Sequence, residues 1–300
     1  YALIGMGKNR KALTAAFSYL ILGTIGATFF LIGVGFLFAA SGSLNTADIA
    51  SRFDSFKDMQ LVETALIFMI MGIALKAAIF PLHSWLPNAY SQAPSTVGIF
   101  LSATSTKVSI YVLLRILYDL YPVDYWVDML LPQIMLSLGC VAVIYGSYRA
   151  WQQTEIKRLL AFSSVAQIGY IVIGFSLVNQ LGLTAAILHL FNHALIKSTL
   201  FIGAGILLYR ANTTELRNLR GLGRDMPWTF AAITLAGLSL IGVPGTVGFV
   251  TKWYLLEAAV EKGMWIVVIT IVLGSVMAIG YVWKIVENLY FRSKRKVHIQ

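Results

Sequence analysis

The sequence predicts an all-α fold, a polytopic transmembrane helix bundle with discontinuous helices. Three observations carry this reading. The 300 residues are 58% hydrophobic and 12% charged, with a mean hydropathy of +0.76, where a soluble domain carries about 25% charge. Eight apolar runs are long enough to cross a hydrocarbon core about 30 Å thick. The basic residues crowd into alternate connections between those runs.

The runs lie near 12–40, 61–80, 95–118, 129–150, 156–177, 181–209, 227–258 and 264–291, labelled segments A to H. Tyr1 to Met6 are apolar and precede Lys8, Arg10 and Lys11. A signal peptide would place charge before the apolar run, so residues 1–11 read as the end of a preceding helix and its loop. Segments A and G exceed the length of one crossing. B runs into Pro81, Pro87 and Pro94, with His83 between them. A helix cannot continue through that spacing, so B ends just after Lys76 and leaves free carbonyls near a cation. G contains Gly242, Pro244, Gly245 and Gly248 and is expected to break. Residues 12–291 form the transmembrane domain, and 292–300 a basic tail.

If the segments alternate in direction, one side receives Lys8, Arg10, Lys11, Arg149, Lys157, Arg158, Arg210, Arg217, Arg220 and Arg224, with Arg292, Lys294, Arg295 and Lys296 of the tail. The other side receives Arg52, Lys57, Arg115 and Lys262, together with Asp119, Asp124 and Asp128. The positive-inside rule places the richer side in the cytoplasm, with the chain in the inner (cytoplasmic) membrane. Topology thus accounts for the net charge of +10, and no nucleic-acid partner is needed to explain it.

Five lysines remain, at apolar depth: Lys76, Lys107, Lys197, Lys252 and Lys284. A charge at mid-membrane costs about 2.5–3.5 kcal/mol on insertion scales, so such residues ask for a functional account. Lys107 lies far from either end of segment C, among Ser102, Thr104, Ser105, Thr106 and Ser109, hydroxyls that suit either a hydrated cavity or close helix packing. Segment E carries Ser163, Ser164 and Gln167, which suit interhelical hydrogen bonds or a proton path. Segment F spaces His189, His193 and Lys197 by four, which puts them on one helix face, with Asn192 beside them. Histidine titrates near neutrality and can accept and release protons there. Lys252 follows the break in G, and this resembles the discontinuous spans of transporters. Lys284 is close enough to the basic end of H to snorkel.

Several chemistries find no support. The histidine pair lacks the glutamate of a zinc-protease motif, since 190–192 read Leu, Phe, Asn, so neither a metal site nor a metal-dependent intramembrane enzyme is expected. No Gly-rich phosphate loop stands on a strand–helix frame, so no nucleotide cofactor is expected. The single cysteine, Cys140, reads as a small core residue. No carboxylate sits at mid-depth to pair with Lys76. Two arrangements would make that tolerable: a neutral amine, or a carboxylate supplied by an upstream helix.

Four stretches resemble the antiporter-like subunits of the complex I and Mrp superfamily: KAAIFPLHSWLPNAYSQAPSTVGIFLSATSTKVSIYVLLR (76–115), TEIKRLLAFSSVAQIGY (154–170), HLFNHALIKSTLFIGAG (189–205) and GVPGTVGFVTKWYLL (242–256). The resemblance implies a fold of about fourteen helices built from two inverted five-helix repeats, with A to H as helices six to thirteen. It implies that Lys76 is the helix-seven lysine that pairs with a helix-five glutamate upstream of Tyr1. It implies that Lys107, then His189, His193 and Lys197, then Lys252 continue a proton path. His83, Ser105, Ser163, Gln167, Asn192 and Lys284 are candidates for its support. Lysine at 252, with SLNTADIA and GLGRDMPWT, leans toward the D-type component of Mrp sodium/proton antiporters. The alternative is the N-type membrane subunit of respiratory NADH:quinone oxidoreductase or a related membrane-bound hydrogenase.

The expected function is therefore a transporter subunit, not an enzyme in itself, that moves protons along a buried Lys/His relay. Its partners would be other membrane subunits, protons, sodium in the antiporter reading, and the lipid bilayer. Any NADH or quinone site would lie on other subunits, in a translocase if the complex I reading holds. A non-conducting scaffold is the contrasting reading.

Overall fold

A computed structural model describes residues 1–7 and 9–293. Lys8, Lys294, Arg295 and Lys296, and with them most of the basic tail, lie outside the described residues. In chain order the helices are α1 (Ala2–Gly5), α2 (Arg10–Ser41), α3 (Thr46–Ser51), α4 (Met59–Ala77), α5 (Trp85–Gln92), α6 (Ser95–Phe100) and α7 (Thr106–Arg115). They continue as α8 (Val123–Val127), α9 (Leu131–Gln152), α10 (Ile156–Ser176), α11 (Gln180–Ala211), α12 (Pro227–Ile241), α13 (Val247–Glu261) and α14 (Trp265–Val286). No strand is present among the described residues; Glu155 and Glu215 form one isolated antiparallel bridge.

Among the described residues seven helical stretches are long and apolar enough to cross a membrane, and the α12–α13 pair supplies the eighth segment as two shorter helices. This is the polytopic bundle that hydropathy predicts, and its two interruptions fall where proline and glycine place them. α4 stops at Ala77, one residue past Lys76, with Ala78 in the left-handed region at φ 56°. The freed carbonyls do not go to the lysine. Leu75 O accepts the Trp85 indole N–H at 2.8 Å, and Ala74 O accepts from Ile79 N at 3.0 Å. Leu75 O also accepts from Ala78 N at 3.3 Å, so Trp85→Phe removes one of its two bonds and should cost about 1 kcal/mol, read as a lower unfolding midpoint of the purified complex.

Segment C departs from the expected single helix. α6 and α7 are joined by a π-helical turn, Leu101–Ser105, and a second π turn, Ile116–Leu120, follows α7. A π turn shifts the hydrogen-bond register by one residue, loosens the local carbonyls, and recurs at functional sites.

α10 is the hub. The whole of its apolar window is buried, and it packs on α9, α11, α5, α14 and α13. Small residues set the closest approaches, as expected for helices that associate by packing and not by water exclusion. A Cβ on Gly169 would lie 2.8 Å from Gly139 O of α9. On the other flank, a Cβ on Gly72 would lie 2.5 Å from Gly26 O, so α2 and α4 touch backbone to backbone just before Lys76.

The ion pairs among the described residues, Asp48–Arg52, Arg115–Asp119 and Glu287–Arg292, are all at the surface. At the first of these, the Arg52 guanidinium holds the Asp48 carboxyl below the ordinary carboxylate range.

Candidate functional site

Three of the five intramembrane lysines are fully buried: Lys107 at 4% exposure, Lys197 at 0% and Lys252 at 4%. Each ammonium is aimed at backbone oxygen, which for Lys107 lies in a π turn and for Lys252 at a helix end. Lys107 Nζ donates to Ser102 O, inside the π turn of its own segment. Lys197 Nζ donates to Leu160 O at 2.8 Å and to Ser163 Oγ at 2.6 Å, both on α10. Lys252 Nζ donates to Leu240 O at 3.1 Å, Ile241 O at 2.8 Å and Ser275 Oγ at 3.0 Å.

The last of these shows why segment G is broken. α12 ends at Ile241, so its final carbonyls have no helical partner and carry the negative end of the helix dipole. Gly242, at φ 89°, turns the chain back; a Cβ there would also lie 2.9 Å from Lys252 Cδ. α13 then starts with Thr246 capping Phe249 N and returns Lys252 to the carbonyls of α12. The Tyr170 ring covers the ammonium at 4.6 Å, within cation–π range. A cavity of about 350 Å³ opens beside it, lined by Gly242, Val243, Pro244, Trp253 and Ser275 among others.

Between Lys197 and Lys252 stands the histidine pair. The imidazoles of His189 and His193 lie parallel with centroids 6.2 Å apart, as their four-residue spacing requires. His189 Nδ1 is 2.8 Å from Thr251 Oγ1 on α13, and its Nε2 is 2.9 Å from Gln167 Oε1 on α10. Thr251 is the chain neighbour of Lys252, and the Tyr170 ring lies 5.9 Å from the His189 ring, so the histidine and the lysine share two walls. His193 is buried at 1% exposure, and neither ring nitrogen has a hydrogen-bond partner. It lies within electrostatic reach of Lys107, Lys197 and His189. The structure thus brings Lys107, Lys197, His193, His189 and Lys252 into one buried row, with Ser163 and Gln167 attached to it.

The other expected residues sit apart from that row. Lys76 is half-buried and points at α2; a Cβ on Gly23 would meet its Nζ at 3.4 Å. His83 stacks on Phe80 at 5.2 Å and meets Tyr145 edge-on at 5.1 Å. Ser105 belongs to the π turn, and its carbonyl accepts from Ser109. Asn192 donates to Val247 O, at the head of α13, at 3.2 Å; one residue along a helix is about 100° of rotation, too far to share a face with His193. Lys284 donates to Trp151 O and Gln153 O, at 2.9 and 2.7 Å, and so caps the end of α9.

Sequence reasoning also missed a buried lysine. Lys157, assigned above to a basic loop, is 3% exposed in the first turn of α10. Its Nζ donates to Ala93 O at 3.2 Å and to Ser95 Oγ at 3.4 Å, across the joint between α5 and α6. Its place at the head of the span that carries Ser163, Ser164 and Gln167 was the available signal. Tyr170, Thr251 and Ser275 were missed because each lies in a strongly apolar segment. Among the described residues no cluster of His, Cys, Asp and Glu could hold a metal ion.

Residues 1–278 match the NADH:quinone oxidoreductase/Mrp antiporter transmembrane family, and the chain belongs to that family. It is 42% identical, over 97% of its length, to the N-type subunit of NADH-quinone oxidoreductase from Desulforudis audaxviator, of which it covers 58%. It is 28% identical, over 86% of its length, to the D-type component of the Na(+)/H(+) antiporter from Alkalihalophilus pseudofirmus, of which it covers 52%. The chain therefore spans a little over half the length of these curated relatives. Among solved structures, a chain of the archaeal membrane-bound sulfane sulfur reductase superimposes with a TM-score of 0.92 at 32% identity, covering 100% of this chain and 61% of that one. A chain of the Mrp complex from Dietzia sp. DQ12-45-1b superimposes at 0.89 and 27% identity, covering 97% and 53%. The antiporter-like fold expected from the four sequence stretches is met. The higher identity to an N-type subunit favours the N-type alternative over the D-type reading.

Proposed function

We propose that this chain is the proton-translocating membrane subunit of an N-type, complex I-like assembly, and that protons move along the buried row Lys107, Lys197/His193, His189 and Lys252. The observation that carries the reading is the burial of three amines and two imidazoles in one line, with no carboxylate among the described residues of the row. Stability alone would not retain such charges in an apolar bundle. Each ammonium is held on oxygens that can keep it charged, and His193 has free nitrogens that water could join to its neighbours. Coupling would be electrostatic, because a charge change at one group alters the proton affinity of the next across low-dielectric protein.

Lys76 would serve the uptake side, where its inverted relation to the helix break matches that of Lys252 on the other half: Lys76 precedes the break and Lys252 follows it. Other membrane subunits would drive the cycle, and the basic connections would face the cytoplasm. Sodium/proton exchange in a D-type assembly is the second reading, favoured by the close superposition on an Mrp chain.

The test is proton flux through the parent complex in sealed vesicles. Lys107→Met should lower flux by at least about tenfold, since a positioned proton carrier contributes about 10²–10⁴-fold, while the complex assembles normally. Lys284→Met, which removes only a helix cap, should leave flux near wild type. A scaffold would show wild-type flux in both.

A further inference from the structure

We propose that Tyr90 of α5 is a positioning residue for Lys107: its hydroxyl pins the π turn whose carbonyl holds the Lys107 ammonium. The proposal rests on the relay reading above. Lys107 Nζ donates to Ser102 O, and Ser102 belongs to the π turn Leu101–Ser105. The acceptor stands at that place only while the turn keeps its register. π turns are rare, and α geometry is the ordinary state of a helix. A shift of one residue back to α geometry would rotate the chain beyond the turn by about 100°. Lys107 would swing away from α11, where His193 and Lys197 now lie within its electrostatic reach.

Tyr90 holds the register from a separate helix. Its hydroxyl donates to Leu101 O, the first carbonyl of the turn, at 2.9 Å. The direction of that bond is fixed, because a backbone carbonyl only accepts. The same oxygen interacts with the hydroxyl of Thr106, the residue that closes the turn and precedes Lys107. Since the tyrosine proton is committed to Leu101, the threonine donates and the tyrosine accepts. One phenol oxygen thus ties the two ends of the π turn together. Hydroxyls within the turn are engaged locally: Ser102 Oγ donates to Ile99 O at 3.0 Å, and Thr104 Oγ1 to Phe100 O at 2.9 Å. Among the described residues, Tyr90 is the one side chain of another element that hydrogen-bonds to this turn.

The tyrosine is itself held in place. It is fully buried, with its ring edge-on to Trp85 at 6.3 Å and to Phe201 at 5.9 Å. Phe201 lies one turn beyond Lys197 on α11, so the residue that fixes the Lys107 turn also packs on the helix of the next amine. Trp85, at the start of the same short helix, binds Leu75 O beside Lys76. α5 is thereby braced on the break of segment B at one end and on the π turn of segment C at the other.

The titratable groups within electrostatic reach of Lys107 are His189, His193 and Lys197 of α11. Among the described residues α4, which also packs on α7, brings no charged group into that reach. The three groups of α11 repel the ammonium when charged, and Ser102 O supports it.

The experiment measures proton flux against pH in sealed vesicles holding the parent complex, normalised to assembled complex. Tyr90→Phe keeps the ring and removes the clamp. Flux should fall about tenfold, since a small misplacement of a reacting group costs up to about a hundredfold. The alkaline limb of the profile should move about one pH unit lower, because an ammonium that loses its acceptor releases its proton sooner. Thr106→Val should move both in the same direction, and Thr106→Ser, which keeps the hydroxyl, should leave both near wild type. Tyr121→Phe is the control. It removes a likewise buried hydroxyl, bound to Val62 O at 3.2 Å at the opposite end of α4 from Lys76, and should leave flux and profile as in wild type. A wild-type profile in Tyr90→Phe, or the same loss in Tyr121→Phe, would overturn the positioning role. If Tyr90→Phe does not assemble, the threonine variants decide: equal profiles in Thr106→Val and Thr106→Ser overturn it. Lys107→Met separates this outcome from the relay itself. Wild-type flux in Lys107→Met removes the relay and this proposal with it; a dead Lys107→Met beside a normal Tyr90→Phe removes the positioning role alone.

Discussion

Replacing Lys252 by methionine should reduce proton flux through the parent complex at least about a hundredfold, within the range that a proton-transfer group contributes. Methionine fills much of the same volume, so the packing against Tyr170 and Ser275 is kept. What disappears is the donor to Leu240 O and Ile241 O, at 3.1 and 2.8 Å, and with it the only amine of the row on α13. The cavity beside Lys252 would still open, but nothing in it could take a proton from His189 by way of Thr251. Abundance of the assembled complex, measured alongside flux, separates loss of conduction from loss of the protein. Flux within a factor of about two of wild type would exclude Lys252 from the relay.

Gly248→Val should produce the largest structural effect in the chain. A Cβ at this position would lie 1.7 Å from Ser239 O and 2.7 Å from the carbonyl carbon. The obstacle is backbone, so no side-chain rotation relieves it. α12 and α13 must separate, which also breaks the bond from Gly248 N to Ser239 Oγ at 3.1 Å. The cost should be at the upper end of overpacking, about 3 kcal/mol or more. Lys252 lies one turn further along α13 and would be drawn off its carbonyls, so stability and flux should fall together. A wild-type unfolding midpoint would show that the two half-helices are not held as tightly as the geometry implies.

Much of this architecture was legible in the residues, and the physical reason differs from place to place. The breaks in B and G were readable because proline and glycine act on the backbone directly. The face of α11 was readable because a four-residue spacing maps onto one side of a helix whatever surrounds it. The π turn before Lys107 was not readable, since a one-residue shift in register leaves no mark on composition. Lys157 was placed in a loop because a charge next to a connection looks solvated; its direction depends on the α5–α6 joint lying above it. Asn192 adjoins the histidines in sequence, yet its amide is engaged by Val247 O at the head of α13 and not by the imidazoles. Lys284 was read as close enough to the end of its helix to snorkel, and the structure gives it a capping task on α9. Of the carbonyls freed at the break beside Lys76, Leu75 O meets the Trp85 indole because a side chain ten residues on folds back over the break, a contact that helix periodicity does not show.

The proposed relay stands on buried amines that pass protons in turn. Lys197 is its most demanding test, because it is wholly buried at the middle of the row and bonded only to α10. The measurement is proton flux per turnover in vesicles containing the full complex with Lys197→Met, normalised to assembled complex. A working relay requires flux below about a tenth of wild type, given what a proton carrier contributes, with assembly unchanged. Wild-type flux in a fully assembled Lys197→Met complex would contradict it.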